Sequence, residues 1–425
     1  MTTVELTLRR GLRYEHVALG FAFTLLLCVS MVLVSRDVEA AHHIAFDSRA
    51  MLPAAFSVAA FSLCAYLMFS SNNAFSVAVS FYLFAITAGY LWLSFFTQLS
   101  YDHATARLSA VAMWAAFAIP ALTINRSLKF RDFLTIKQMD LISVFLICAS
   151  AVIALRGYFL GFHFVGFIEG DPLRNTLILP TWMRYAVPIL TTAALPFCCA
   201  WLLFRKRYIL ALVALTVCLA YYPITLHKTA LMTPIWLVFI SILLKLVRWR
   251  VAVVLSLLIP LAIGLAALAV APLYYTPIFR VINFRMLAIP ASALDHYFHY
   301  FSTHPLTNFC QISIIGKLLN CSLPDQLGVL LAQEYKTGNY NASLLATEGI
   351  ASVGPYVAPV SAFFCGLVFA AANLVSNRLN PSFVILSGAA MLPAIMNVPL
   401  STVALTHGGI VLVILWMLTP SDAPR

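Results

Sequence analysis

Residues 251–271 read VAVVLSLLIPLAIGLAALAVA, an uncharged apolar run between Arg250 and Pro272. At a rise of about 1.5 Å per residue it makes a helix of roughly 30 Å, the thickness of a bilayer's hydrocarbon core. An unpaired backbone amide in lipid costs several kcal/mol, so such a run is satisfied only as a helix; barrel strands are about ten residues long and alternate. Further runs of this kind lie at about 17 to 35, 51 to 70, 75 to 97, 109 to 124, 139 to 156, 184 to 204, 208 to 226, 230 to 247, 349 to 376, 382 to 398 and 402 to 419. Composition agrees: 62% of the 425 residues are hydrophobic and 10% charged, against roughly half and a quarter in a soluble domain.

The fold class is therefore all-α, a polytopic membrane protein of about twelve transmembrane helices. Residues 1–271 carry the first nine helices, with a connection at 157–183 too long for a hairpin; 272–348 form a large loop; 349–425 carry the last three helices. The run from Val17 to Val34 follows Arg9, Arg10 and Arg13, as a secretory signal would, but exceeds a signal core of about 7 to 15 residues and reads as a retained helix. The large loop is rich in aromatic and aliphatic residues, so short amphipathic helices lying over the bundle are expected there.

Lys and Arg in short loops are held on the cytoplasmic side. With the amino terminus inside, the alternate connections carry Arg126, Lys129, Arg131 and Lys137, then Arg205, Lys206 and Arg207, then Lys245, Arg248 and Arg250, then Arg378. Both long connections then face outward, and both termini are cytoplasmic. The formal charge of +11 forms no basic stripe interleaved with aromatics, which argues against nucleic acid as a partner. Seven of the nine cysteines lie in apolar spans, and no cysteine or histidine spacing fits a zinc site. The spans carry no Asp, Glu, Lys or Arg away from their ends, which disfavours an ion-coupled carrier or flippase, since these need charge within the membrane.

The outer face gathers cations against this bias. Arg156, Arg174 and Arg184 stand in or beside the first long loop, Lys228 follows His227 in a short outer turn, and Arg280 and Arg285 open the large loop. Arginine forks and lysine point charges suit a lipid-linked diphosphate. The stretch Asp295-His296-Tyr297-Phe298-His299-Tyr300-Phe301-Ser302-Thr303-His304-Pro305 follows. On a helix, Asp295 and His299 share an edge at i and i+4, as do Tyr297 and Phe301. Tyr297, His299 and Tyr300 are candidate sugar contacts, and a histidine or carboxylate could take a hydroxyl proton. An interfacial aromatic belt with incidental histidines would read the same way. Asn341, Glu348, Gly349 and Gly354 lie at the mouth of the tenth span. Cys310 and Cys321 share the outer loop, and an oxidising compartment would let them pair.

Together, His227-Lys228-Thr229, Arg285 with Ile289-Pro290, Tyr300 to Pro305, and Tyr340-Asn341-Ala342 with Glu348-Gly349 to Gly354 resemble the Wzy-type oligosaccharide repeat-unit polymerases of bacterial inner membranes. The resemblance implies a GT-C-like glycosyltransferase at the periplasmic face, joining undecaprenyl-diphosphate-linked units into O-antigen or exopolysaccharide. It implies a basic cavity holding the lipid diphosphate on Lys228, Arg280, Arg285, Arg174 and Arg184, a glycan contact at Asn341, and a chain-length regulator as a further partner. Candidate bases are His304, Asp295 and Glu348. No Asp-x-Asp motif stands in an outer loop, so neither metal nor cofactor is expected. The chain departs from the pattern in having Asn341-Ala342-Ser343 where Asn-Ala-Asn is common, and Glu348 where Asp is frequent. The rivals are an O-antigen ligase, a flippase or exporter of lipid-linked glycans, and a non-enzymatic scaffold.

Overall fold

The computed structural model describes residues 3–37, 42–128, 132–163, 177, 179–270, 277–321, 323, 325–337, 340 and 342–421, with the backbone alone at 3–14 and 37. Among these the regular structure is helical, apart from one isolated antiparallel bridge between Ile44 and Thr97. Among the described residues, eleven helices are long and apolar enough to cross a membrane, by length and composition. The chain is an all-α, multi-pass membrane protein.

Two regions differ from the expectation drawn from apolar runs. The runs at 382–398 and 402–419 break into Pro381–Gly388, Met391–Asn397, Leu400–Leu405 and Gly409–Leu418. Gly408 turns the chain at φ 77°, and a Cβ there would sit 2.8 Å from that of Ala193. In the large loop, short helices lying over the bundle are replaced at one place by a continuous helical stretch, Pro277–Thr303, of 27 residues. Its polar residues break the apolar run, which hides its length from a hydropathy reading.

By its contacts the chain divides into two compact units. One comprises Met1–Asn125, Arg250–Ala370 and Ile395–Leu400; the other comprises Arg126–Trp249, Ala371–Ala394 and Ser401–Arg425.

The first unit is built around Ala74–Leu93, all of whose residues are buried. A helix apolar on every side has no face to give to solvent, and this one is enclosed by its neighbours. Phe61, Phe81, Phe84 and Trp114 pack edge and face along it, and the Trp114 indole donates to the Ser80 carbonyl at 3.0 Å. Trp249–Val270 runs in the same direction: Arg250 donates to the carbonyl of Ser71, just before Ala74, and Tyr82 bonds Ser256 at 2.9 Å.

Pro277–Thr303 also runs in that direction. Asn283 lies against Leu261 and Gly264, Ala291 against Gly89, and Asp295 bonds Thr97 beyond the end of Ala74–Leu93. Two consecutive helices that run the same way cannot both be full crossings joined by six residues, which reach at most about 22 Å, while the first helix is about 33 Å long. Pro277–Thr303 is thus a returning helix, packed beside the spans and emerging past their ends.

In the second unit three basic connections meet at one end. Arg207 pairs with Asp140 at 2.9 Å, and the Trp201 indole donates to the same carboxylate. Arg378 binds Asp132 at 3.0 Å and donates to the carbonyls of Trp416, Met417 and Thr419, the orphan acceptors at the end of Gly409–Leu418.

Candidate functional site

The emerging half of the returning helix carries most of the candidate residues. It begins with a π-helical stretch, Arg280–Ala288, closed by the Ile289 N–H on the Phe284 carbonyl, and continues as the α-helix Ile289–Thr303. In an α-helix, residues five apart point in different directions. Hydrogen bonds from i to i+5 cut that divergence from about 140° to about 50°, so Arg280 and Arg285 fall toward one side. Both are exposed. Their opposite neighbour Asn283 is fully buried and donates to Ser30 Oγ at 2.9 Å and the Leu261 carbonyl at 3.2 Å. One side of the π turn is therefore locked into the spans, and the other presents two guanidinium groups.

Asp295 is 1% exposed. Thr97 Oγ1 donates to one carboxylate oxygen at 2.6 Å, and the Tyr101 hydroxyl donates to the other. Thr97 is held by the bridge to Ile44, in which the Ala45 N–H donates to Phe96 O and the Gln98 N–H to His43 O. Burial and the adjacent Asp295 charge hold the Tyr101 phenol well above its ordinary pKa, so it stays a donor. The two short connections after Thr3–Asp37 and Ala74–Leu93 are thereby tied to the returning helix.

The next residue, His296, faces the other way and is fully buried. One ring nitrogen, Nδ1, lies 2.8 Å from the Ser292 carbonyl, which can only accept, so this nitrogen carries the proton. Its Nε2 lone pair makes no hydrogen bond among the described residues and is walled by the rings of Tyr335, Tyr340 and His43. Around it the Tyr340 hydroxyl contacts His42 Nδ1 at 2.7 Å and Ser292 Oγ at 2.8 Å, and Tyr335 meets His299 Nδ1 at 2.6 Å. Burial raises the phenol pKa values of Tyr335 and Tyr340, keeping both neutral.

The remaining candidates fall into place around this helix. His304 follows its last turn, exposed, with its ring stacked on Tyr300 at 3.9 Å and Nδ1 at 3.0 Å from the Tyr300 carbonyl. Nε2 is then its basic atom. Tyr297 is buried, with a hydroxyl lacking a partner among the described residues. Glu348 is buried in the π turn Leu345–Ala351 and accepts from Thr347 Oγ1 at 2.5 Å. Asp295 and Glu348 thus both lie on helical stretches of membrane-crossing length, Asp295 past the end of Ala74–Leu93 and Glu348 in the first turns of Leu345–Ser376.

Cys310 and Cys321 are joined by a disulfide. Arg184 and Lys228 belong to the second unit: Arg184 is exposed and donates to the Leu179 carbonyl at 3.1 Å, and Lys228 is half-buried at the start of Lys228–Leu246. Arg174 and Asn341 lie outside the described residues.

Thr97, Tyr101, His42, His43, His296 and Tyr335 are absent from the sequence-derived set. The tandem histidines 42 and 43, in the connection between the first two apolar runs, were the one available signal. Among the described residues, no three His, Cys, Asp or Glu are grouped to hold a metal ion. No family model, curated protein or solved structure matches the chain.

Proposed function

We propose that the protein is a membrane-embedded, GT-C-like glycosyltransferase that joins oligosaccharide repeat units carried on undecaprenyl diphosphate. The observation that carries this reading is the π turn with Arg280 and Arg285 on one exposed side, heading a helix whose next turns hold a buried polar network and an exposed histidine. An acceptor hydroxyl attacks the anomeric carbon of the donor sugar; the bond from that carbon to the diphosphate oxygen breaks, and the electron pair leaves with the diphosphate. Preorganised guanidinium groups stabilise the charge that develops there, as a divalent ion does in other transferases.

Of the three candidate bases, His304 suits proton removal best. It is exposed, and the Tyr300 carbonyl orients its ring so that Nε2 is free to accept. Asp295 is occupied by Thr97 and Tyr101, and its role is to position the helix. The reading places the site on the periplasmic face of a bacterial inner membrane.

A strain lacking the gene tests this. Surface glycan reduced to single repeat units supports the polymerase. Full-length polymer accumulating on the lipid carrier assigns a ligase, and loss of outward-facing lipid-linked units assigns a transporter.

A further inference from the structure

Beyond His304 the chain forms a strap over the start of the next membrane-length helix. Leu345–Ser376 has 32 residues, where about 20 suffice to cross. It kinks at Gly354, with φ 75° and ψ 169°, and residues 355–376 beyond the kink are long enough to cross alone. Pro355 has no N–H, so the Ala351 carbonyl loses its helical partner. The strap replaces it: Thr307 N–H donates to Ala351 O at 2.8 Å, and Asn308 N–H to Ser352 O at 3.1 Å. Leu306 packs over Gly354. The strap is fixed at the edge where the crossing stretch begins.

The Cys310–Cys321 disulfide then closes a small loop, with Cα atoms 5.6 Å apart. Gly316 lies beneath it, where a Cβ would come within 2.9 Å of the carbonyl oxygens of both cysteines. Gly316 is thus the buried side of the helix Ser313–Leu318, and the other side is exposed. Ile314 is 69% exposed, Leu318 79% and Leu319 57%, with Lys317 exposed among them. Beyond the kink, Tyr356, Val360 and Phe364 of the neighbouring span are exposed as well.

We propose that the disulfide-closed loop 310–321 is a membrane-interface anchor, seating Ile314, Leu318 and Leu319 at the boundary of headgroups and acyl chains beside the Gly354 kink. Gly316 packs against the Cys310 and Cys321 carbonyls, so the tip of the six-residue helix stays within about 9 Å of the disulfide, matching the roughly 5 to 10 Å to which anchors of this kind sink. Lys317 extends to lipid phosphates while its stem lies along the apolar face. Lipid is the occupant because the strap that carries the apolar tip is hydrogen-bonded to Ala351 and Ser352, on the membrane-length helix that also exposes Tyr356, Val360 and Phe364. The anchor fixes the height of the strap, and through it of His304. It stands independently of the polymerase reading.

The test uses the full-length protein in nanodiscs of phosphatidylethanolamine and phosphatidylglycerol, with a benzophenone amino acid at position 318, at 364 as a lipid-facing control, and at 325 as a polar control. After irradiation, the expected result is a mass shift of one phospholipid at 318 and at 364, and none at 325. A protein–protein adduct at 318 in place of lipid, or no lipid adduct at 318 while 364 is labelled, overturns the proposal. Should the 318 variant fail to fold, position 314 carries the same expectation.

Discussion

Gly264→Ala tests the returning helix where it meets the spans. A Cβ at Gly264 would lie 1.7 Å from Asn283 Oδ1 and 2.8 Å from its Cγ, so the amide must leave its seat. It then loses its bonds to Ser30 Oγ and to the Leu261 carbonyl. Such bonds in a membrane contribute about 0.6 kcal/mol each, up to about 1.7. Leaving buried groups unsatisfied adds about 1 to 3 kcal/mol. Gly264→Ala is expected to cost about 2 to 4 kcal/mol by this sum. Asn283→Ala removes the amide and should cost about 1 to 2 kcal/mol. In the double variant the new methyl meets open space, so the total should be close to that of Asn283→Ala alone, a coupling as large as the whole cost of Gly264→Ala, about 2 to 4 kcal/mol. Reversible unfolding in mixed micelles measures all four proteins. Simple additivity would refute the packing of Asn283 against Gly264 and, with it, the parallel course of the two helices.

Further outcomes follow from the same structure. Asp295→Ala strands the hydroxyls of Thr97 and Tyr101 and should destabilise the first unit by about 2 to 4 kcal/mol, with Asp295→Asn costing less, in the same unfolding assay. Reducing the Cys310–Cys321 disulfide should cost about 3 kcal/mol by loop-closure entropy, read as a lower unfolding midpoint with reductant than without. Asp102 caps His103–Thr123, and hydrogen bonds from Thr105 and Ala104 hold its carboxyl below the usual range. A depressed folded pKa gives stability that is present above the unfolded pKa and lost as pH falls through the folded one. Wild type should therefore outlast Asp102→Ala in thermal unfolding at neutral pH, and the gap should close below about pH 4.

The apolar runs were legible because span length and hydrocarbon thickness are the same physical quantity; Val251 to Val270 could be nothing but a membrane-length helix. Pro277–Thr303 was not, because Arg280, Asn283, Arg285 and Asp295 break its hydropathy while each finds a partner or an exit that no local pattern records. Asp295 meets Thr97 and Tyr101 across 198 and 194 residues of sequence. That it would be a helix was legible from its spacing; that its carboxylate would be buried was not. The π turn is likewise invisible in sequence, since a slipped hydrogen-bond register has no residue signature, yet it brings Arg280 and Arg285 to one side. His296 sat in view within Asp295–Pro305, but its buried lone pair depends on Tyr335 and Tyr340 arriving from a distant segment.

The central claim is that guanidinium groups on the π turn serve glycosyl transfer from a lipid diphosphate. The most direct measurement is turnover by the purified protein in liposomes carrying a synthetic undecaprenyl-diphosphate-linked repeat unit, with released undecaprenyl diphosphate and product length followed together. The expected result is a ladder of lengthening glycan with stoichiometric release of the carrier, and loss of both in a well-folded Arg280→Gln/Arg285→Gln variant. Release at the wild-type rate in that variant, or no release by the wild-type protein, would contradict it.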